Sequence, residues 1–241
     1  MYQPRTYRRW ATTEDLVTFR VVVKETDLLV RAKSDLSSQA LEIVKRCRAG
    51  LEDYIRRHPL FALTLEPISV EDDAPAIVRN MALAGEAVGV GPMAAVAGAI
   101  ARDVGTWLLQ FSDEVVVENG GDIFVRSLCP RLVGLYAGES PLTGKIAFVI
   151  QPEDTPLGIC TSSGTVGHSL SFGQADAATV FSPCAALADA AATAIGNRVR
   201  LAEDIPEAIE FAKRVPGLSG VAIVKDDVLG LWGKIQLTSV H

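Results

Sequence analysis

An acid and an alcohol stand four residues apart in an alanine-rich stretch, ADAAATA, at residues 188–194. At 3.6 residues per helical turn, this spacing puts Asp189 and Thr193 on one face of a helix, one turn apart. A carboxylate beside so apolar a face is costly to bury unless it is hydrogen-bonded or bound to a metal. Carboxylate and hydroxyl oxygens suit Mg²⁺, which takes its remaining ligands from water and phosphates. The alternative is that Asp189 points to water and Thr193 hydrogen-bonds back to its own helix.

A second acidic pattern, ENGGD, lies between two strand-like runs and ends at residue 122. Asn-Gly is a common hairpin signal, so a turn by itself accounts for the glycines. The flanking acids, Glu118 and Asp122, would in addition bring carboxylates to the rim of the sheet. Gly120 and Gly121 would allow a ligand to approach the backbone closely. The pattern therefore predicts a hairpin and leaves a ligand site at its turn open.

Small hydrogen-bonding residues are concentrated in CTSSGTVGHSLSFG, at residues 160–173, after a strand-like run. Such loops are typical of ligand sites, although a plain polar loop has the same composition. The imidazole of His168 titrates near neutral pH, so His168 is either a general base or an unengaged surface residue. A shorter pattern, GVGP at 89–92, either cradles a phosphate with backbone N–H groups or forms a tight turn.

The composition is that of an ordinary globular protein and narrows the classes of function. The chain has 241 residues, 49% of them hydrophobic and 22% charged, and a net charge of −6. Because nucleic-acid backbones need a basic face, we expect no nucleic-acid partner. The 4 cysteines are scattered, which favours free thiols in a reducing cytoplasm. The apolar run at 87–101 is too short to cross a bilayer, so we expect a cytoplasmic protein without membrane segments.

The helices that must position these residues follow from apolar periodicity and from start signals. Apolar residues at helical spacing predict a helix over 37–58, and a second helix begins at EDDAP, residues 71–75. Pro92 is predicted to begin a third helix, and Pro183 precedes the alanine-rich one. The pattern DIPE at 204–207 is typical of a capping box and predicts one more helix.

The strands are predicted from β-branched and alternating runs that turn residues separate. These runs predict a hairpin within 16–33, a set of strands between 114 and 182, and a terminal hairpin over Asp226 and Asp227. Because strands and helices each occur in runs, the chain is predicted to be an α+β protein with antiparallel sheets.

Taken together and in order, these stretches resemble the FAD:protein FMN transferase family, the ApbE-like proteins. Members carry a glycine-containing loop and helix, a strand ending in G-G-D, S-G after another strand, and A-D-A-x-A-T-A on a helix. The corresponding segments here are GVGPMAAVAGAIA (89–101), ENGGDI (118–123), TSSG (161–164) and ADAAATA (188–194). The resemblance covers about residues 89–197. It implies an ApbE-like α+β fold in which two interlocked T-fold-like halves, with antiparallel sheets and packed helices, form a single domain over residues 1–241.

The resemblance also implies an activity and a set of site residues. Asp189 and Thr193 would bind Mg²⁺, which would bridge the pyrophosphate of bound FAD. The family transfers FMN from FAD to a threonine or serine hydroxyl of a partner protein and releases AMP. The base that takes the proton of that hydroxyl would be His168 or Asp122. The flavin nucleotide site would be lined by Gly120, Gly121, Asp122, Ser163 and Gly164.

The sequence also departs from the family pattern. The family usually has a Lys-Gly-aromatic-Ala-x-Asp stretch at the first loop, whereas GPMAAV here contains neither a lysine nor an acid. The insert between S-G and A-D-A is shorter and lacks an Asp-Pro-x-Thr-Gly turn. Three functions therefore stay open: a transferase that modifies a flavin-acceptor protein, a non-catalytic flavin- or nucleotide-binding protein, and an enzyme for another phosphorylated substrate.

Overall fold

The computed structural model of the protein describes residues 15–165 and 172–240. The helices in these ranges are α1 (Ser37–Arg57), α2 (Leu60–Leu63), α3 (Ala76–Val88), α4 (Val96–Leu108), α5 (Ala185–Gly196) and α6 (Ile205–Lys213). The strands are β1 (Val17–Val23), β2 (Thr26–Ala32), β3 (Val115–Asn119), β4 (Asp122–Arg126), β5 (Arg131–Gly134), β6 (Ile146–Ile150), β7 (Leu157–Ser162), β8 (Ala177–Ser182), β9 (Gly220–Lys225), β10 (Val228–Gly233) and β11 (Gln236–Ser239).

Eight of the strands form one antiparallel sheet in the order β1-β2-β3-β4-β7-β8-β9-β10. Each half of this sheet has the same chain order: two strands, helices, and two more strands. The first half consists of β1-β2, α1 to α4 and β3-β4, and the second of β7-β8, α5-α6 and β9-β10. Pairing of β4 with β7 joins the halves. This arrangement confirms the predicted α+β fold of two T-fold-like halves.

The two faces of the large sheet are covered by different layers. Val115 and Val117 of β3 belong to the core cluster beneath the helices. Val116, between them, packs on the opposite face, where Phe148 and Ile150 of β6 contribute to a second core cluster. Because side chains alternate along a strand, both faces of β3 are apolar and buried. The second layer is a three-stranded sheet in the order β11-β6-β5.

The start of α6 differs from the sequence-based prediction. The capping-box prediction for DIPE is wrong, because the Asp204 side chain makes no hydrogen bond to the first turn of α6. Its Oδ2 instead accepts hydrogen bonds from the backbone N–H groups of Arg200 and Leu201, at 2.8 and 2.9 Å. Asp204 thus closes the short turn that precedes the helix. Pro206 then occupies the first turn of α6, where no backbone donor is required.

Within the described ranges, no single helix is long and apolar enough to cross a membrane. A 3-10 turn over Pro92–Ala95 leads directly into α4. Only α3 and this stretch, Pro92–Leu108, taken together would be long and apolar enough, and they meet at an angle of 106°. Met81 and Val104, one from each helix, are fully buried in the core beneath the large sheet.

We expect Gly158→Ala to lower the free energy of unfolding by about 1–3 kcal/mol, because α5 lies directly against β7. A Cβ atom at Gly158 would lie 2.4 Å from the Cα atom of Ala185. The matched control is Gly50→Ala within α1, where the nearest atom, Cβ of Pro75, is 3.8 Å away. Alanine there is expected to be neutral or to stabilise the helix by up to about 1 kcal/mol. Urea unfolding measures both variants, and equal effects would contradict the close packing.

Candidate functional site

Asp189 lies on α5, and its carboxylate faces the first turn of α4. Oδ2 accepts a hydrogen bond from the backbone N–H of Gly98, at 2.8 Å. A Cβ atom at Gly98 would lie 2.3 Å from the carbonyl oxygen of Ala185 and 2.8 Å from Cβ of Asp189, so glycine permits this approach. The first N–H groups of a helix lack intrahelical partners and carry partial positive charge, which favours a carboxylate. Asp189 therefore does not point to bulk water.

Asp122 is the first residue of β4 and lies on the face of the sheet that the helices cover. It pairs with Asn119 across the turn, and Phe124, two residues on, packs in the core beneath the helices. The Asp122 side chain is 8% exposed, and its Oδ1 atom has no hydrogen-bond partner among the described residues. Burial raises the pKa of Asp122 to about 7, against hydrogen bonds from Cys160 and Thr161 that lower the pKa.

The two carboxylates influence one another. Burial raises the pKa of Asp189 well above its ordinary value, and the negative charge of Asp122 raises it further. The N–H groups of Gly98 and Ala97 act in the opposite direction. Among the described residues, no lysine or arginine forms an ion pair with either carboxylate. A buried like-charged pair without a cationic partner favours a bound proton or a bound cation.

Cys160 lies beside both acids and was not among the residues predicted from the sequence. Its strand, β7, continues the antiparallel pairing with β4, which places Cys160 next to Asp122 on the helix-covered face. Its thiol lies within hydrogen-bonding distance of two acceptors, the Asp122 carboxylate and the carbonyl oxygen of Ala185, the latter at 3.4 Å. Burial raises the pKa of this thiol, and so do the charges of Asp122 and Asp189. The alternation of Gly158, Cys160 and Ser162 along β7 is the pattern that could have indicated it.

The ENGGD segment forms the predicted hairpin turn between β3 and β4. Gly120 and Gly121 have φ angles of 71° and 110°, which favour glycine. Nothing lies within 4 Å of a Cβ atom placed at Gly121, so there is open space beside the turn. The Glu118 carboxylate accepts a hydrogen bond from the N–H of Gly121, at 3.1 Å. Glu118 pairs with Ile123 and lies on the opposite face of the sheet from Asp122, so the two acids diverge.

Asn119 is a further residue that the sequence analysis missed. Its side-chain amide donates a hydrogen bond to the carbonyl oxygen of Ala97, at 3.2 Å. The hairpin is thereby fixed to the first turn of α4. The Gly98 N–H group that donates its hydrogen bond to Asp189 is the next one along this turn. Asn119 and Asp189 thus bind neighbouring backbone groups of this turn.

The GVGP segment forms a tight turn that uses part of its own backbone hydrogen-bonding capacity. Gly89 ends α3 in the left-handed conformation, with φ of 76°. The N–H of Gly91 donates to the carbonyl oxygen of Leu65, at 2.8 Å. The N–H group of Gly91 is therefore already used within the fold, which supports the turn interpretation.

Ser163 and Gly164 follow the end of β7, at the base of the loop predicted to bind a ligand. The Ser163 hydroxyl accepts a hydrogen bond from the N–H of Thr165, at 3.1 Å. A Cβ atom placed at Gly164 would lie 2.1 Å from the carbonyl oxygen of Gly173. A Cβ atom placed at Gly173 would lie 1.9 Å from the carbonyl oxygen of Gly196, in the last turn of α5. The base of the loop therefore packs against the C-terminal end of α5. His168 lies outside the described residues.

Thr193 lies one helical turn beyond Asp189, towards the C-terminal end of α5, and is half-buried. Its hydroxyl forms no hydrogen bond with the described part of the chain, so the back-bonding alternative is not what the structure has. A hydroxyl in this position remains available to a ligand.

A second cluster of acidic and thiol side chains is not a metal centre. It consists of Asp15, Glu114 and Cys129, whose potential ligand atoms all lie within 4.8 Å of one another. The Arg131 guanidinium already occupies the position between the carboxylates, 2.6 Å from Asp15 and 2.8 Å from Glu114. The Lys33 ammonium lies 2.5 Å from the other oxygen of Glu114. These cations neutralise the cluster, so it is an ion-pair network.

Comparison with known proteins identifies the family. A family model described as "AbpE bacteria" matches residues 8–224. UPF0280 protein MJ1526 of Methanocaldococcus jannaschii is 45% identical over 222 residues, which cover 90% of each chain. A UPF0280 protein of Methanosarcina acetivorans is 41% identical over 216 residues, which cover 88% of this chain and 85% of that protein.

Solved structures share the fold at low sequence identity. The flavinyl transferase ApbE of Pseudomonas stutzeri, in its apo form, superimposes with a TM-score of 0.60 at 13% identity, covering 91% of this chain and 94% of that chain. The ApbE protein of Thermotoga maritima superimposes with a TM-score of 0.55 at 12% identity, covering 89% and 96%. The chain therefore belongs to the ApbE-like family, and its relatives within that family include the UPF0280 proteins.

Proposed function

We propose that this chain is an Mg²⁺-dependent flavin-nucleotide enzyme that transfers FMN from FAD to a threonine or serine hydroxyl of a partner protein and releases AMP. One observation carries the proposal: the buried carboxylate of Asp122 acts electrostatically on the half-buried carboxylate of Asp189, and neither has a cationic partner among the described residues. This pair occurs in a fold shared with ApbE flavin transferases.

The residues present fit a hard divalent cation. Asp189 contributes a carboxylate, Thr193 a hydroxyl without a partner in the described chain, and Asp122 a buried oxygen without a hydrogen bond. Oxygen ligands of this kind suit Mg²⁺. The cation would be held by Asp189 and Thr193, and when bound it offsets negative charge on the pyrophosphate of the nucleotide.

The space beside the hairpin turn is the proposed flavin nucleotide site. Gly120 and Gly121 would let the nucleotide approach the backbone: nothing lies within 4 Å of a Cβ atom placed at Gly121, and Asp122 follows directly. Ser163 and Gly164, which follow the end of β7, would line it as well. These residues would bind and orient the nucleotide.

Two residues are proposed as the general base, Asp122 and His168. Asp122 has a pKa of about 7, which matches proton uptake from an attacking hydroxyl near neutral pH. His168 belongs to the loop whose base packs on the C-terminal end of α5, and an imidazole has an ordinary pKa in the same range.

One sequence feature favours a second function, that of a non-catalytic flavin-binding protein. The first loop, GPMAAV, lacks the lysine and the acid of the family pattern. If the chemistry has been lost, FAD would bind without turnover.

The experiment incubates the purified protein with FAD, MgCl₂ and a flavin-acceptor domain. We expect AMP, detected by chromatography, in equal amount to the covalent flavin detected by in-gel fluorescence. Thr193→Val is expected to slow AMP release by at least the factor of about 10–100 that loss of a supporting group at a metal site costs. Thr106→Val, at an exposed position on α4, is the matched control and should leave the rate unchanged. Bound FAD without AMP or covalent flavin would favour the non-catalytic function, and absence of FAD binding would contradict both.

A further inference from the structure

Asp122 has a carboxylate oxygen that the fold leaves without a partner. The side chain is 8% exposed, and Oδ1 makes no hydrogen bond to a described residue. Buried carboxylate oxygens are ordinarily paired, because burial removes the water that would solvate them. An oxygen of this kind next to a proposed nucleotide site indicates a ligand that supplies the missing interaction.

The surrounding contacts bring Asp122 and Asp189 into one neighbourhood of the fold. Cys160 lies next to Asp122 across the pairing of β4 with β7, and its thiol contacts the carbonyl oxygen of Ala185 on α5. Asp189 is one helical turn beyond Ala185 on the same face of α5. Gly98, the first-turn residue of α4, lies against both Ala185 and Asp189. These contacts bring both carboxylates to one small region between β4, β7, α4 and α5, where the charge of Asp122 acts on Asp189.

The carboxylate oxygens in this region keep part of their hydrogen-bonding capacity free. Asp189 uses one oxygen, Oδ2, to accept the hydrogen bond from the N–H of Gly98. The Cys160 thiol lies between Asp122 and the carbonyl oxygen of Ala185, and sulfur is a poor ligand for a hard cation such as Mg²⁺. The remaining groups are oxygens, which distinguishes the site from a zinc site, where sulfur and nitrogen ligands predominate.

We propose that the divalent cation held by Asp189 is also bound by Asp122 through Oδ1, which makes this a two-carboxylate site. The inference rests on the proposed function and deepens it. Two carboxylates neutralise the two positive charges of Mg²⁺ before any nucleotide phosphate arrives, and the cation in turn removes the repulsion between them. A carboxylate engaged in this way is not free to act as the base, so His168 is the remaining proposed base.

Calorimetric titration of MgCl₂ into the metal-free full-length protein tests this role without measuring turnover. We expect Asp122→Asn to weaken Mg²⁺ binding at least tenfold, as Asp189→Asn does. The matched control is Asp103→Asn, because Asp103 is a half-buried carboxyl on α4 whose pKa burial also raises. It should leave the affinity unchanged. Asp122→Asn with wild-type affinity would overturn the inference, and so would a wild-type protein that binds no Mg²⁺.

A crystal of the wild-type protein soaked in MnCl₂ provides a second measurement that does not depend on the folding of a variant. The anomalous peak is expected within bonding distance of both Asp122 Oδ1 and Asp189. A peak at Asp189 alone would overturn the inference. AMP release by an Asp122→Asn protein with unchanged Mg²⁺ affinity would overturn the two-carboxylate site and leave the proposed function standing. Mg²⁺ bound by both acids without AMP release would support the two-carboxylate site and contradict the proposed function.

Discussion

Glu114→Gln should lower the free energy of unfolding by about 3–5 kcal/mol, because it leaves a buried arginine without its full complement of negative charge. Glu114 is 1% exposed. It receives hydrogen bonds from the Ser127 hydroxyl at 2.5 Å and the Leu128 N–H at 2.9 Å, in addition to the ion pair with Arg131 at 2.8 Å. This network joins the edge of the small sheet at β5 to the start of β3. Its loss should therefore loosen both layers together.

The pH dependence gives the same network a second signature. Burial alone would raise the pKa of Glu114, but hydrogen bonds from Lys33, Ser127, Leu128 and Arg131 outweigh it and hold the pKa well below the ordinary value of 4.5. Because the folded pKa is depressed, the stabilisation is present above about pH 4.5 and is lost as the pH falls below it. Glu114→Gln should flatten this acid limb.

Urea unfolding of both proteins at several pH values measures these effects. The matched control is Glu210→Gln, because Glu210 forms an exposed ion pair with Lys213 on α6. Exposed pairs of this kind contribute about 0–1 kcal/mol. A Glu114→Gln protein as stable as the Glu210→Gln control would show that the network does not support the fold.

The α5 helix and the ENGGD hairpin illustrate how much of the site could be predicted from local sequence. Periodicity placed Asp189 and Thr193 on one face, and the Asn-Gly pair predicted a turn that the structure has, with Gly120 and Gly121 at positive φ. Both conclusions depend on residues within a few positions of one another. The resemblance to the family then supplied the prediction of two T-fold-like halves, which the sheet confirms.

Contacts between distant segments could not be predicted in this way. The hydrogen bond from Gly98 to Asp189 joins residues 91 positions apart, and that from Asn119 to Ala97 joins a turn to a helix. Periodicity shows which face of an element is buried but not which partner covers it. Cys160 illustrates the same limit, because its position beside Asp122 follows from strand register rather than from any motif.

The Asp189→Asn variant should lose AMP release by about 10²–10³-fold, a loss typical of removing a group that stabilises developing charge. Asparagine keeps an oxygen that can accept the N–H of Gly98, so α4 retains its contact. It cannot supply the negative charge that holds a cation. Asp189→Ala removes both and should in addition cost about 0.5–2 kcal/mol, as loss of a helix cap does.

The metal-free protein should report the same carboxylate pair through its stability. Because the folded pKa of Asp122, about 7, lies above its ordinary value of 3.8, the folded state holds a proton that the unfolded state has released. Its unfolding free energy in EDTA should therefore fall between about pH 5 and about pH 7, by on the order of 2 kcal/mol. The Glu114 network is ionised in both states throughout this range and does not contribute to the fall.

Asp189→Asn removes one of the two repelling charges, so its stability in EDTA should decline less over this range than that of the wild-type protein. MgCl₂ at about 100 times its dissociation constant should restore about 2.7 kcal/mol to the wild-type protein near pH 8 and little to the variant. Urea unfolding with and without MgCl₂ separates these cases. A wild-type stability that stays level or rises over this pH range would show that the two acids do not repel one another. Full AMP release by Asp189→Asn would show that they do not share a cation.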